Sequence, residues 1–223
     1  MPRSPSEEAL PAVAKICGVT TPEAVRAAAD GRAAYVGFNF FEKSPRYVTP
    51  EAAARLAEPI RGRGVKIVAV TVDPSDALLE SLRETLRPDL IQLHGKESPG
   101  RVREAAEKAG AGAVKVISVA SADDLSRAAE YEGAAEHLMF DAKTPKDAEL
   151  PGGMGVKFDW AMLAGRRFAR PWFLAGGLDP WNVAEAIAAS GAPIADVSSG
   201  VERGAGLKDP ALISAFLDAV RRA

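Results

Sequence analysis

The chain has 223 residues, 47% of them hydrophobic and 26% charged, with a formal net charge of −2 and a single cysteine, Cys17. That size suits one α/β domain with a large core, since single barrels run about 200–250 residues. The near-neutral charge argues against a nucleic-acid or membrane-surface partner, no run approaches the ~20 apolar residues of a membrane span, and one thiol excludes an internal disulfide.

Residues 1–12 open as Met1-Pro2-Arg3-Ser4-Pro5 without the apolar stretch of a secretion signal. They are expected to be a loosely ordered lead-in to a domain spanning 13–223. With one cysteine, the expected location is a reducing cytoplasm. The first candidate strand is Ala14–Val19, which ends on Cys17-Gly18 and is followed by a helix start at Thr21-Pro22-Glu23. The strand Ala33–Phe40 and the helix Pro50–Ile60, preceded by Thr49, come next. The strand Val65–Asp73 leads to a helix over Ser75–Leu86, and Leu90–Gly95 leads to a helix over Pro99–Ala109 behind Ser98. The strand Ala113–Val119 leads to a helix over Ala122–Tyr131 behind Ser121. Glu136–Ala142 and Pro171–Leu178 read as strands, Asn182–Ser190 as a helix and Ile194–Gly200 as the last strand. Asp209-Pro210-Ala211 opens a closing helix, with Asp at the cap and Pro in the first turn. The helical stretches carry apolar residues three to four apart, and several have a Ser or Thr at the cap.

Strict alternation of strand and helix implies a parallel sheet with right-handed crossovers. Eight such units close into a single (β/α)8 TIM barrel of the α/β class. No Gly-x-Gly-x-x-Gly follows the first strand, so dinucleotide binding is disfavoured. Strand parity sorts side chains by face. Lys15 and Cys17 share one face of the first strand, with Ile16 on the other. Gln92 and His94 oppose Ile91 and Leu93, and His137, Met139 and Asp141 oppose Leu138 and Phe140. The polar sets are expected inside the barrel, their last members at the mouth where such folds place their sites. A lone thiol near a strand is often mere core, but Cys17 falls at a strand end.

Ala175-Gly176-Gly177-Leu178 and Asp196-Val197-Ser198-Ser199-Gly200-Val201-Glu202 occupy the ends of the seventh and eighth strands. Loops there often bind phosphate through backbone N–H groups. Gly176, Gly177, Ser199 and Gly200 are the candidates.

These segments, taken with Lys15–Thr20, Gly37–Phe41, Ser44–Val48, Gln92–Gly95, Phe140–Lys143, Gly152–Gly155 and Phe158–Trp160, run in one order along nearly the whole chain. In that order they resemble the phosphoribosylanthranilate isomerases of tryptophan biosynthesis. The resemblance implies an Amadori rearrangement of N-(5′-phosphoribosyl)anthranilate to 1-(2-carboxyphenylamino)-1-deoxyribulose 5-phosphate. It implies no cofactor and no metal, a small phosphosugar as the partner, and Cys17 as general base with Asp141 as general acid. An ordinary thiol is mostly protonated at neutral pH. Its pKa is therefore expected to be lowered, by Lys15 or by the cationic iminium of the substrate. Lys15 as a purely structural ion pair remains an equal alternative. Arg46 suits the anthranilate carboxylate, because a planar guanidinium grips it bidentately. Asp196 is a candidate for a ribose hydroxyl, and His94 for either a substrate contact or a structural bond. Gly153 and Gly155 would donate backbone N–H groups to the phosphate from the loop after the sixth strand. There Met154 replaces the small hydroxyl residue usual in the family. An epimerase-like site would want metal-binding histidines and acids, and only His94 and His137 exist. An indole-glycerol-phosphate synthase-like enzyme would want extra N-terminal helices, and a pure binding protein would need neither Cys17 nor Asp141. Monomer and homodimer are both open.

Overall fold

The computed structural model describes residues 11–143 and 158–223. Eight parallel strands close a barrel in chain order: β1 Val13–Cys17, β2 Tyr35–Asn39, β3 Lys66–Thr71, β4 Leu90–Leu93, β5 Gly112–Val119, β6 His137–Ala142, β7 Trp172–Leu174 and β8 Ile194–Val197. The (β/α)8 expectation holds. Register closes the ring, with Lys15 beside Tyr35 on one side and Asp196 on the other.

The helices start where the sequence places caps. Thr21, Thr49, Ser75 and Ser98 each accept a hydrogen bond from the N–H three residues on. These open α1 (Pro22–Asp30), α2 (Pro50–Ala57), α3 (Asp76–Glu84) and α4 (Pro99–Ala109). Such a cap contributes about 1 kcal/mol by satisfying an otherwise orphaned donor. α5 (Ala128–Tyr131) is short; α6 (Val183–Ser190) and α7 (Pro210–Arg221) complete the outer layer. Asp209 caps α7 through the N–H groups of Ala211 and Leu212.

Two apolar layers result. Ile16, Val36, Phe38, Ile91, Leu93, Leu138 and Phe140 face the helices, while Val68, Val70, Val114, Val116, Met139 and Phe173 fill the barrel interior. Strand parity therefore places these side chains as the alternation requires.

The structure departs from the expected elements in particular places. Residues Ala122–Arg127 form a 3-10 helix rather than an α-helix. Asp124 turns back there to accept from the N–H groups of Ala120 and Ser121, tightening the turn. The last three residues of the expected helix Pro50–Ile60 are likewise 3-10. β7 stops at Leu174, because Gly176 and Gly177 adopt φ of +91° and +65°, which extended strands do not use. Between β6 and β7 the described residues hold a 3-10 turn at Trp160–Leu163. A small antiparallel hairpin, β9 (Glu202–Gly204) with β10 (Leu207–Lys208), follows the barrel and was not anticipated. No helix among the described residues is long and apolar enough to cross a membrane.

Candidate active site

A pocket opens at the C-terminal ends of the strands. Cys17, Arg46, Gln92, His94, Asp141, Asp196 and Ser198 all line it. The expected catalytic pair is thus brought together: Cys17 ends β1 and Asp141 lies near the end of β6. Both are buried, at 8% and 7% exposure.

Around the thiol, Lys15 is fully buried and donates to Asp196 at 2.7 Å. Gly37 on the neighbouring strand makes room for this arrangement. A Cβ there would lie 3.3 Å from Cys17 Sγ and 3.3 Å from Lys15 Nζ. Burial opposes the Lys15 ammonium, yet Asp196 and Cys17 outweigh it and hold the group above its ordinary value. Burial pushes the Cys17 thiol up, and Lys15 only partly offsets this. The expectation of a lowered thiol pKa is therefore corrected for the site as it stands: desolvation penalises the thiolate more than one nearby cation rewards it. Asp196 accepts from Lys15 through Oδ1 and lines the pocket.

Around the acid, His94 Nε2 lies 3.4 Å from Asp141 Oδ2 but makes no aligned hydrogen bond. Gln92 Oε1 is likewise buried without a partner. Each such atom costs about 1–3 kcal/mol when unsatisfied, and both belong to residues lining the pocket. Gly176 presses against the acid. A Cβ on it would meet Ala142 N at 2.7 Å and Asp141 Oδ1 at 3.1 Å, at a φ only glycine adopts readily.

Arg46 enters from the loop after β2. Its Nε and one Nη donate to the two carboxylate oxygens of Glu202 at 2.7 and 2.9 Å. Its stem lies over Gly18, where an added Cβ would meet Arg46 Cδ at 2.6 Å. The guanidinium is in the pocket as expected, and one edge of it is held by a protein carboxylate. Sequence reasoning gave Glu202 no role, although a glutamate just past a strand end is a usable signal for an arginine partner.

Gly176 and Gly177 follow β7, and Ser199 and Gly200 form a 3-10 turn directly after β8. The two loops are in contact, since any Cβ on Gly200 would collide with the Leu178 carbonyl. Gly153 and Gly155 lie outside the described residues, as does Met154. Among the described residues no cluster of three or more His, Cys, Asp or Glu side chains is arranged to hold a metal ion.

Residues 14–219 match the family model described as N-(5′-phosphoribosyl)anthranilate (PRA) isomerase. The N-(5′-phosphoribosyl)anthranilate isomerase of Caulobacter vibrioides is 68% identical over 210 residues, covering 94% of this chain and 96% of its own. That of Rhodospirillum centenum is 52% identical, covering 93% of this chain and 97% of its own. The phosphoribosyl anthranilate isomerase crystal structure from Thermotoga maritima superposes with a TM-score of 0.84 at 33% identity, covering 95% of this chain and all of that one. A related crystal structure, in complex with reduced 1-(o-carboxyphenylamino)-1-deoxyribulose 5-phosphate, superposes at 0.81 with 30% identity over 95% of this chain and all of its own. The chain belongs to the N-(5′-phosphoribosyl)anthranilate isomerase family.

Proposed function

We propose that the chain isomerises N-(5′-phosphoribosyl)anthranilate to 1-(2-carboxyphenylamino)-1-deoxyribulose 5-phosphate, with Asp141 as general acid and Cys17 as general base. The observation that carries the assignment is the placement of one buried thiol and one buried carboxyl on β1 and β6 of a single pocket. Glycine turns follow the two strands that lie between them on one side of the ring.

The chemistry needs two proton transfers and no external electrons. Protonated Asp141 gives its proton to the furanose ring oxygen as the C1–O bond breaks, and the nitrogen lone pair forms the C1=N iminium. The Cys17 thiolate then takes the proton from C2, and that C–H pair becomes the C1=C2 bond of an enolamine while the iminium charge is discharged. Tautomerisation moves the enol proton to C1, leaving a ketone at C2 and an amine at C1. C2 is oxidised by the two electrons that C1 gains. The cationic iminium, once formed beside Cys17, supplies positive charge that favours the thiolate at the moment it is needed.

The backbone N–H groups around Gly177, Ser199 and Gly200 hold the sugar phosphate at the mouth, with Gly153 and Gly155 assigned the same task on the family pattern. Arg46 receives the anthranilate carboxylate. The relative solved with a reduced carboxyphenylamino sugar phosphate supports a ligand of this class.

The test is turnover of phosphoribosylanthranilate, followed by loss of its fluorescence. Cys17→Ala and Asp141→Asn should each lower kcat by about 10²-fold or more, the scale of a general acid or base. Wild-type rates in both variants would overturn the assignment.

A further inference from the structure

Two buried charged residues at the mouth take no part in the proton transfers. Lys208, on β10, is 4% exposed, and Glu202 opens β9 with its side chain 5% exposed. Their contacts form a chain toward the substrate site. Lys208 Nζ donates to Glu202 Oε1 at 2.5 Å, to the Ser198 carbonyl at 2.9 Å and to Ser198 Oγ at 3.3 Å. Ser198 Oγ in turn donates to the Cys17 carbonyl at 3.3 Å. Glu202 Oε1 also accepts from Arg46 Nε, and Oε2 from Arg46 Nη2 and from the Gly206 N–H.

From this geometry we infer that Glu202 and Lys208 are positioning residues that set the Arg46 guanidinium for the substrate's ring carboxylate, and so fix the choice of a carboxylated arylamine. The inference rests on the reading of Arg46 as the carboxylate ligand. A guanidinium has five N–H donors in a rigid fork, and bidentate capture of one edge fixes the plane of the rest. Glu202 takes the Nε edge. Lys208 holds Glu202 in place, and its three donors tie that carboxylate to the segment that follows β8.

Charge explains why a lysine is needed as well. One carboxylate shared between two cations cannot neutralise both, so Glu202 orients Arg46 without discharging it. The loop that carries Arg46 is fixed independently. The Arg46 N–H donates to Ser44 Oγ, and Gly206 of the hairpin packs on the Pro45 carbonyl so closely that no Cβ would fit. Thr20, just past Cys17, donates to the Gly206 carbonyl. The hairpin therefore fastens the loops after β1 and β2 to the end of β8.

The test compares wild type with Lys208→Met, Glu202→Gln and Arg46→Ala. Each is assayed for kcat and KM on phosphoribosylanthranilate. Each is also titrated with two stable analogues: reduced 1-(o-carboxyphenylamino)-1-deoxyribulose 5-phosphate and its counterpart lacking the carboxylate. Lys208→Met and Glu202→Gln should raise KM about tenfold or more while kcat stays within about threefold, the pattern of lost binding rather than lost chemistry. Weaker binding should appear only with the carboxylated analogue. Glu202→Gln is the sharper arm. It adds net positive charge, so a purely electrostatic role predicts tighter binding, whereas positioning predicts weaker. Lys208→Arg should recover most of the loss. Lys208→Gln, which keeps a donor for the Ser198 carbonyl, serves as the neutral variant if Lys208→Met does not fold.

Equal weakening toward both analogues, or unchanged KM in folded Lys208 and Glu202 variants while Arg46→Ala binds poorly, overturns the inference alone. Unchanged carboxylate binding in Arg46→Ala overturns the reading of Arg46 and the inference with it.

Discussion

Lys15 sits in the barrel wall with no exposed surface, paired with the Asp196 carboxylate at 2.7 Å and lying beside the Cys17 thiol. An ammonium so buried would be costly without a partner. It also leaves the thiol beside a fixed cation rather than in plain apolar surroundings. Removing that cation should make the thiol still less acidic, since burial already pushes Cys17 up and Lys15 is the main force opposing it. The alkylation rate of Cys17 by iodoacetamide, measured against pH in wild type and Lys15→Met, should therefore show its rise displaced to higher pH in the variant. Coincident profiles would show that Lys15 does not act on the thiol. Asp196 remains buried in that variant, so a folded-state check by near-UV circular dichroism belongs with it. Strand parity put Lys15 and Cys17 on one face from sequence alone, because side chains alternate along any strand. The direction of the thiol shift was not legible there. It depends on how much water the folded site excludes, and no spacing rule carries that information.

At the scale of the elements, the strand ends are held by a buried ion pair that no motif announced. Lys115 lies on the helix-facing side of β5, between Ala113 and Ile117 of the outer core. Its ammonium donates to Glu97 Oε2 at 2.7 Å and to the carbonyls of Gly95 and Leu93 at 2.8 and 3.2 Å. Glu97 Oε1 accepts from the N–H groups of Asp73 and Gly95, and Tyr131 donates its hydroxyl to the Glu97 carbonyl. Together these bonds tie the ends of β3 and β4 to the middle of β5 and to α5, and they fix the turn that follows His94. Burial opposes the Glu97 carboxylate, but Lys115 and the backbone N–H groups of Glu97 itself and Asp73 overcome it and hold the group below its ordinary value. Lys115→Met would leave that carboxylate buried without its cation. The expected loss is about 3–5 kcal/mol in denaturant unfolding, the range for breaking one half of a buried pair. Lys115→Met combined with Glu97→Gln should recover part of it. A loss below about 1 kcal/mol for the single variant would show the pair to be well solvated, as surface pairs are. The helices and strands themselves were readable because period and caps are local signals. The pair was not, since Lys115 and Glu97 meet only through the packing of neighbouring strands; a lysine within an apolar strand run was the one available hint. The 3-10 geometry of Ala122–Arg127 was hidden for a similar reason, as it follows from the reach of the Asp124 carboxylate.

Across the whole molecule, the barrel interior changes character from one end to the other. The opening of the strands is plugged by an aromatic group, in which Tyr35 and His137, the first residues of β2 and β6, pack with Phe173. The middle is aliphatic, and the closing ends carry the charged groups of the pocket. Alternation of strands and helices made this architecture legible, and with it the end of the barrel that bears the site. The closing hairpin escaped notice because its strands are only three and two residues long. The same division assigns the acid response of the fold to the plug. His137 is buried, its Nδ1 has no hydrogen-bond partner, and the Glu136 carboxylate stays 3.8 Å away. Burial lowers its pKa, Glu136 opposes this in part and the Lys66 ammonium reinforces it. The unfolded chain takes up this proton near pH 6.5, while the folded chain resists until lower pH. Across that interval the unfolded state binds more protons, so stability must fall as pH falls, and the loss levels off below the folded pKa. Above about pH 6.5 the group contributes no such penalty. His137→Phe should therefore lose less melting temperature than wild type between pH 8 and pH 5, with Tyr35 and Phe173 still packed against a ring. Carboxylates held below their ordinary values, such as Glu97 and Glu202, weaken both proteins alike in acid and cancel from the comparison. An identical drop in both proteins would mean that the plug opens to water and that the acid response of the barrel lies wholly in its carboxylates.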